Sequence, residues 1–179
     1  MVGCRFSYDL SFDAAAVQDI GLYFYTNQNS STLAAVVNWI GNEGAASQLM
    51  LNVNMNYYSA ISPDDIVGSS AISGAGFLDR TLAHELTHAL MAANDQYFNA
   101  LPQFIKEGTA ELTHGIDDER GNSIFSIAFD SSRLDNALNL DNSGTGETDA
   151  YSGGYMFLRY FAKAAAAQQQ PAFGAFPQR

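Results

Sequence analysis

Residues His84-Glu85-Leu86-Thr87-His88 are followed, nineteen positions after the second histidine, by Glu107-Gly108-Thr109-Ala110-Glu111. At this composition a His-Glu-x-x-His pentapeptide is expected by chance about 0.002 times in the chain, so the pattern signals chemistry. Two of the three histidines lie in it. Leu78, Leu82, Leu86, Ala89 and Ala93 fall within about 80° of arc at 100° per residue. The spacing predicts a helix through the motif, with these five side chains towards the core and the histidines on another face.

On such a helix, positions i and i+4 lie one above the other, about 6 Å apart, a span that one ion can bridge with two imidazoles. Two nitrogens and a carboxylate, with a fourth place open to water, suit zinc; calcium or magnesium would ask for an all-oxygen shell. Glu85 is rotated about 60° from His88, near enough to touch that water without being a ligand. A carboxylate so placed can take the water's proton and pass it to a leaving amine. For the third ligand, a metzincin would continue the motif with glycine and histidine at positions 91 and 94, where Met91 and Asn94 stand. Asp95 is still close to the same helix, whereas Glu107 follows a connection long enough to reverse the chain. Glu107 is therefore the expected ligand, with His114 as its rival on the same face. Glu111, four residues on, is expected to accept a hydrogen bond from the distal ring N–H of a ligand histidine, His84, and so to fix its tautomer.

Working outward, residues 4 to 12 alternate polar and apolar like a half-buried strand, and Asp13 precedes an Ala-rich helical stretch. Ser30 or Ser31 is placed to cap a helix carrying Leu33, Val36, Val37 and Ile40, ending at Gly41 or Gly44. Gln48 to Tyr58 alternates again. Leu49, Leu51, Val53, Met55 and Tyr57 share one face and mostly Asn the other, which predicts a strand with a polar side open to a peptide. Residues 62–65 and 68–76 read as turn and loop. Downstream, Pro102 starts a helix that runs to about His114, and Gly115 with Asp117-Asp118-Glu119 closes it. Ile124 to Leu140 is helix-compatible, residues 141 to 149 form an acidic loop, and Tyr151 to Ala166 is a further helix. The expectation is an α+β domain over residues 1–166, with an Ala/Gln/Pro-containing tail or linker over 167–179.

A length of 179 residues suits one domain, and an apolar share of 47% is enough for an ordinary core. The net charge of −11 and only eight scattered Lys and Arg residues argue against nucleic acid or an anionic membrane face as partner. No apolar run approaches the roughly eighteen residues of a membrane span. Cys4 is the lone cysteine, so no intramolecular disulfide forms. Residues 1 to 20 lack a basic start followed by an apolar stretch. With strand-like sequence directly behind Met1, that suggests either a leaderless protein or a domain cut from a longer one whose export signal lies elsewhere, and the second is the expectation.

The His84 to Glu107 spacing, with Gly108, Ala110 and Glu111 behind the glutamate, resembles the gluzincin metallopeptidases. In these a His-Glu-x-x-His helix is completed by a glutamate on the next helix. The resemblance implies a zincin-like fold: a small mixed sheet whose edge strand holds the peptide over the active-site helix, followed by a mainly helical half. The strand of Leu51 to Tyr57 is placed in sequence to be that edge. It also implies His84, His88 and Glu107 as zinc ligands, Glu85 as general base and Glu111 as their support. Tyr151-Ser152-Gly153-Gly154 is similar to the Tyr-x-x-Gly setting in which many gluzincins supply an oxyanion donor, making Tyr151 the expected donor and Tyr155 its alternative. More narrowly, residues 77 to 120 resemble flagellinolysin-type domains, peptidases found in bacterial flagellins and large exported proteins. That implies an extracellular or cell-surface endopeptidase acting on proteins, carried as a module in a flagellin-like or surface assembly.

A different class stays open, a catalytically silent surface or adhesion module of the same fold. The sequence disfavours it because a closed structural zinc site needs four protein ligands and no base. Calcium is a lesser possibility at Asp117-Asp118-Glu119 or the Asp141 to Asp149 loop, neither of which matches an EF-hand.

Overall fold

A computed structural model describes residues 17, 19–41, 46–59, 61, 64, 77–114, 120–142 and 146–169. Within them, β1 (Ile20–Tyr25), β2 (Ala34–Ile40) and β3 (Ala46–Asn54) form a three-stranded mixed sheet in the order β1-β3-β2. β1 runs parallel to β3 and β2 antiparallel to it. Five α-helices follow: α1 (Leu78–Asn94), α2 (Gln103–His114), α3 (Gly121–Ala128), α4 (Ser131–Ala137) and α5 (Glu147–Gln169), with a 3-10 turn at Phe98–Ala100 between the first two. The described chain is thus α+β, sheet first and helices after. None of the described helices is long and apolar enough to cross a membrane.

Two sequence expectations change in the sheet. In the stretch carrying Leu33, Val36, Val37 and Ile40, residues Ala34–Ile40 are the strand β2. Its spacing fits a helix, but Val36, Val37, Trp39 and Ile40 are β-branched or aromatic, and pairing with β3 from Ala34↔Val53 onward decides the matter. The strand expected at Gln48 to Tyr58 is β3, which ends at Asn54 and gives way to turns. It lies in the centre of the sheet, so the edge beside α1 is β2. The alternation itself is real: Leu49, Leu51 and Val53 are buried.

The core sits between the sheet and α1. Ala46, Leu49 and Val17 pack with Ala89, Ala92 and Ala93, while Leu51, Val53, Ala34 and Tyr58 pack with Leu78 and Leu82. Leu86, expected in that stripe, is 41% exposed, and His84 is buried instead. The helix therefore turns its motif histidines inward. Asn54, on the face expected to meet a peptide, is fully buried. Its side chain donates to the carbonyls of Asn27 and Thr32 and accepts from the Asn27 amide, tying down the loop before β2.

The helical half differs from expectation at one break. Ile124 to Leu140 divides into α3 and α4, because Asp130 accepts from the amides of Ser132 and Arg133 and starts a new helix. α5 begins before Tyr151 and continues to Gln169, past the expected boundary at residue 166. Against it lies α2, at a crossing built from glycines. A β-carbon on Gly154 would stand 2.0 Å from the Phe104 carbonyl oxygen, and one on Gly108 would stand 2.4 Å from the Gly154 carbonyl carbon. The expected strand at 4–12, the helical stretch after Asp13, Cys4, the residues 117–119 and the tail from 170 lie outside the described residues.

Candidate metal centre

Arg80, His84 and His88 recur every four residues on α1, so His84 and His88 project from adjacent turns of one face. A turn around Asp95 to Leu101 then reverses the chain, with backbone bonds from Leu101 to Tyr97 and Phe98, and α2 returns beside α1 carrying Glu107. Asn142, from the far end of the helical half, accepts from the Gln103 amide and so fixes where α2 begins.

The three donor atoms converge. His84 Nε2 and His88 Nε2 are 3.1 Å apart, and each is 3.1 Å from the same carboxylate oxygen, Glu107 Oε2. Among the described residues this is the one cluster of three or more His, Cys, Asp or Glu whose donor atoms could share an ion. The triangle passes a geometric test: ligand atoms on one face of a tetrahedral zinc site stand about 3.3 Å apart when bonds are about 2.0–2.1 Å. Two nitrogens and a carboxylate also match the zinc donor set. The expected rival His114 ends α2, and its side chain lies outside the described part.

Behind the triangle, Glu111 is 1% exposed and its Oε1 lies 3.2 Å from His84 Nδ1. Once Nε2 is deprotonated, an N–H on Nδ1 donates to that carboxylate and the Nε2 lone pair is directed at the triangle. Arg120 gives Nε and Nη2 to the two oxygens of Glu111, each at 3.4 Å, so the support has its own support. His88 has no counterpart: its Nδ1 is buried with no hydrogen-bond partner among the described residues.

Without a cation the cluster holds protons. Burial alone would lower His84, but its bonds to Glu107 and Glu111 outweigh this and hold it up to about 9. Burial would raise Glu107, and the two histidines overcome it and bring the carboxyl down to about 2. Glu85 differs. Burial dominates there and pushes its carboxyl above the ordinary value, against the pull of His84 and His88. Its Oε2 also accepts from the Val36 amide of β2 at 3.0 Å.

A cavity of about 460 Å³ opens on this side, between the loop at Ser31–Ala34, the first turns of α1, Arg120 and the start of α5. His84, Glu85 and Tyr151 line it. The Tyr151 ring stacks on His84, with centroids 5.4 Å apart and planes 9° from parallel, and Arg120 Cζ lies 4.5 Å above the phenol ring centre. Tyr155 is buried away from the cavity lining and accepts from Arg159. Of the oxygen-rich loop considered for calcium, Asp149 is paired with Arg133.

Four features of the site were not read from the sequence. Arg80 could have been found, since it stands one turn before His84 on the same face. Arg120, the Val36 amide and the loop at 31–34 could not, because only the tertiary fold brings them here. No family model, curated protein or solved structure matches this chain.

Proposed function

We propose that this chain is a zinc-dependent endopeptidase with a zincin-like, gluzincin-type active site that hydrolyses peptide bonds in proteins. The observation that carries the reading is the convergence of His84 Nε2, His88 Nε2 and Glu107 Oε2, mutually 3.1 Å apart, next to a cavity that Glu85 and Tyr151 line. Zinc held by these three residues would supply Lewis acidity, polarising the substrate carbonyl and making water more acidic. Glu85 takes the proton from the attacking water on its carboxylate and delivers it to the leaving amine nitrogen. A carboxyl raised by burial is the stronger base for that task. Tyr151 donates its phenolic O–H to the oxyanion as charge develops there, which favours the transition state over the substrate. β2 is an edge strand beside α1, and an extended peptide can add to its open side. The resemblance to flagellinolysin-type domains extends the reading to an extracellular module of a larger bacterial protein such as a flagellin.

A second reading, a silent surface module, draws on one observation. The bond from the Val36 amide gives Glu85 a structural duty. One assay separates the two. With zinc present the protein should cleave an unfolded protein substrate. A chelator should abolish cleavage, and Glu85→Gln should lower the rate by about 10²–10⁴-fold with zinc still bound. Stoichiometric zinc without cleavage, or cleavage that survives both changes, would favour the silent module or another mechanism.

A further inference from the structure

Four side chains at the metal centre touch in a closed circuit. His84 Nδ1 stands 3.2 Å from Glu111 Oε1, and Glu111 accepts from Nε and Nη2 of Arg120 at 3.4 Å each. Arg120 Cζ then lies 4.5 Å over the centre of the Tyr151 ring, and that ring stacks on the His84 imidazole at 5.4 Å. In the peptidase reading His84 is a zinc ligand and Tyr151 the oxyanion donor. The circuit therefore joins the two through Glu111 and Arg120.

Arg120 has the chemistry for both of its contacts. Its planar fork of N–H donors matches the two oxygens of a carboxylate, and its spread charge is attracted to the negative face of a phenol ring. Its main chain is tied to the same place by a second route. Ser123 Oγ donates to the Arg120 carbonyl at 2.9 Å and meets Ser152 Oγ at 2.6 Å. Ser152 is fully buried and follows Tyr151 on α5. Side chain and backbone of Arg120 thus reach neighbouring residues of one helix. The precision matters, because a misplacement of about 1 Å in a reacting or donor group can cost about 10²-fold in rate.

Resting on the peptidase reading, we propose that Arg120 is a positioning residue: it holds the Tyr151 ring against His84 and so sets where the phenolic oxygen stands relative to the three metal donors. It acts on the reaction through Tyr151 and touches neither the zinc nor the scissile bond.

The test has a kinetic arm and a spectroscopic arm, both on zinc-loaded protein. On a dye-quenched unfolded protein substrate, Arg120→Gln should lower kcat by about 10–100-fold with KM within about threefold. In a Tyr151→Phe background, which keeps the ring and removes the donor, the same change should cost less than about threefold. The chain has three histidines, so protein labelled with ¹³C-histidine gives three ring Cε1–H signals, and that of His84 is assigned by its loss in a His84 variant. Tyr151→Leu removes the stacked ring and moves the His84 signal, and Arg120→Gln should move it towards the same position. Arg120→Lys keeps the charge without the planar fork. It should show the same two effects, and it carries both arms if Arg120→Gln does not fold. A kcat unchanged by the Arg120 variants, an equal loss with and without the Tyr151 hydroxyl, or a His84 signal that stays in place would overturn the proposal and leave the peptidase reading standing. A His84 signal that moves as expected in a wild type that cleaves nothing would overturn the peptidase reading and leave Arg120 as the group that places the ring.

Discussion

Glu111 lies with Oε1 3.2 Å from His84 Nδ1 and is itself held by Arg120. Glu111→Ala should weaken zinc binding by about 10–100-fold, measured by competition with a chromogenic chelator, while leaving the three ligands in place. An unchanged affinity would mean that the contact is incidental. The grouping of His84, Glu85 and His88 on one helix and of Glu107 and Glu111 on the next was legible from helical spacing, and the meeting of the two groups from the length of the connection between them. Arg120 was not. It lies nine residues beyond Glu111, just before α3, and is brought back by contacts distant in sequence: Ser123 Oγ donates to its carbonyl and also meets the buried Ser152 of α5 at 2.6 Å.

The crossing of α2 and α5 sets how far Glu107 stands from Tyr151, since Gly108 and Gly154 are in contact one and three residues along from them. Gly154→Ala would drive a methyl group to 2.0 Å from the Phe104 carbonyl and should cost about 1–3 kcal/mol or more in urea unfolding. Gly121→Ala is the control. Its β-carbon meets nothing within 4 Å, and the change should be neutral or stabilising by up to about 1 kcal/mol. Equal losses at both positions would refute the close-packing reading. Tyr-x-x-Gly reads in sequence as part of a catalytic signature, and in the fold its last residue serves helix packing. β2 shows where pattern fails. Leu33, Val36, Val37 and Ile40 satisfy a helical spacing, and only the partner strand β3, with its antiparallel register, determines that they form an edge strand. The misplacement of that edge onto β3 follows from the same cause.

Across the protein, the metal-free and metal-loaded forms should respond to pH in opposite ways. His84 is raised above its ordinary 6.5, so its contribution to stability is complete below about 6.5 and is lost as pH rises through about 9. Glu107 is lowered below 4.5, so its contribution is complete above about 4.5 and is lost as pH falls towards about 2. Chelated protein should therefore draw most from this cluster between about pH 4.5 and 6.5, and its Tm should decline from there towards pH 9. Zinc needs His84 deprotonated, so loading should release protons and the Tm gap between loaded and chelated protein should widen with rising pH. A gap that narrows would contradict the assigned ligands. The most direct test is an anomalous-scattering map at the zinc edge from crystals of the loaded protein. A three-ligand centre predicts one strong peak bonded to His84 Nε2, His88 Nε2 and the Glu107 carboxylate, with no fourth protein ligand. A peak at any other position, or one closed by a fourth side chain, would contradict it.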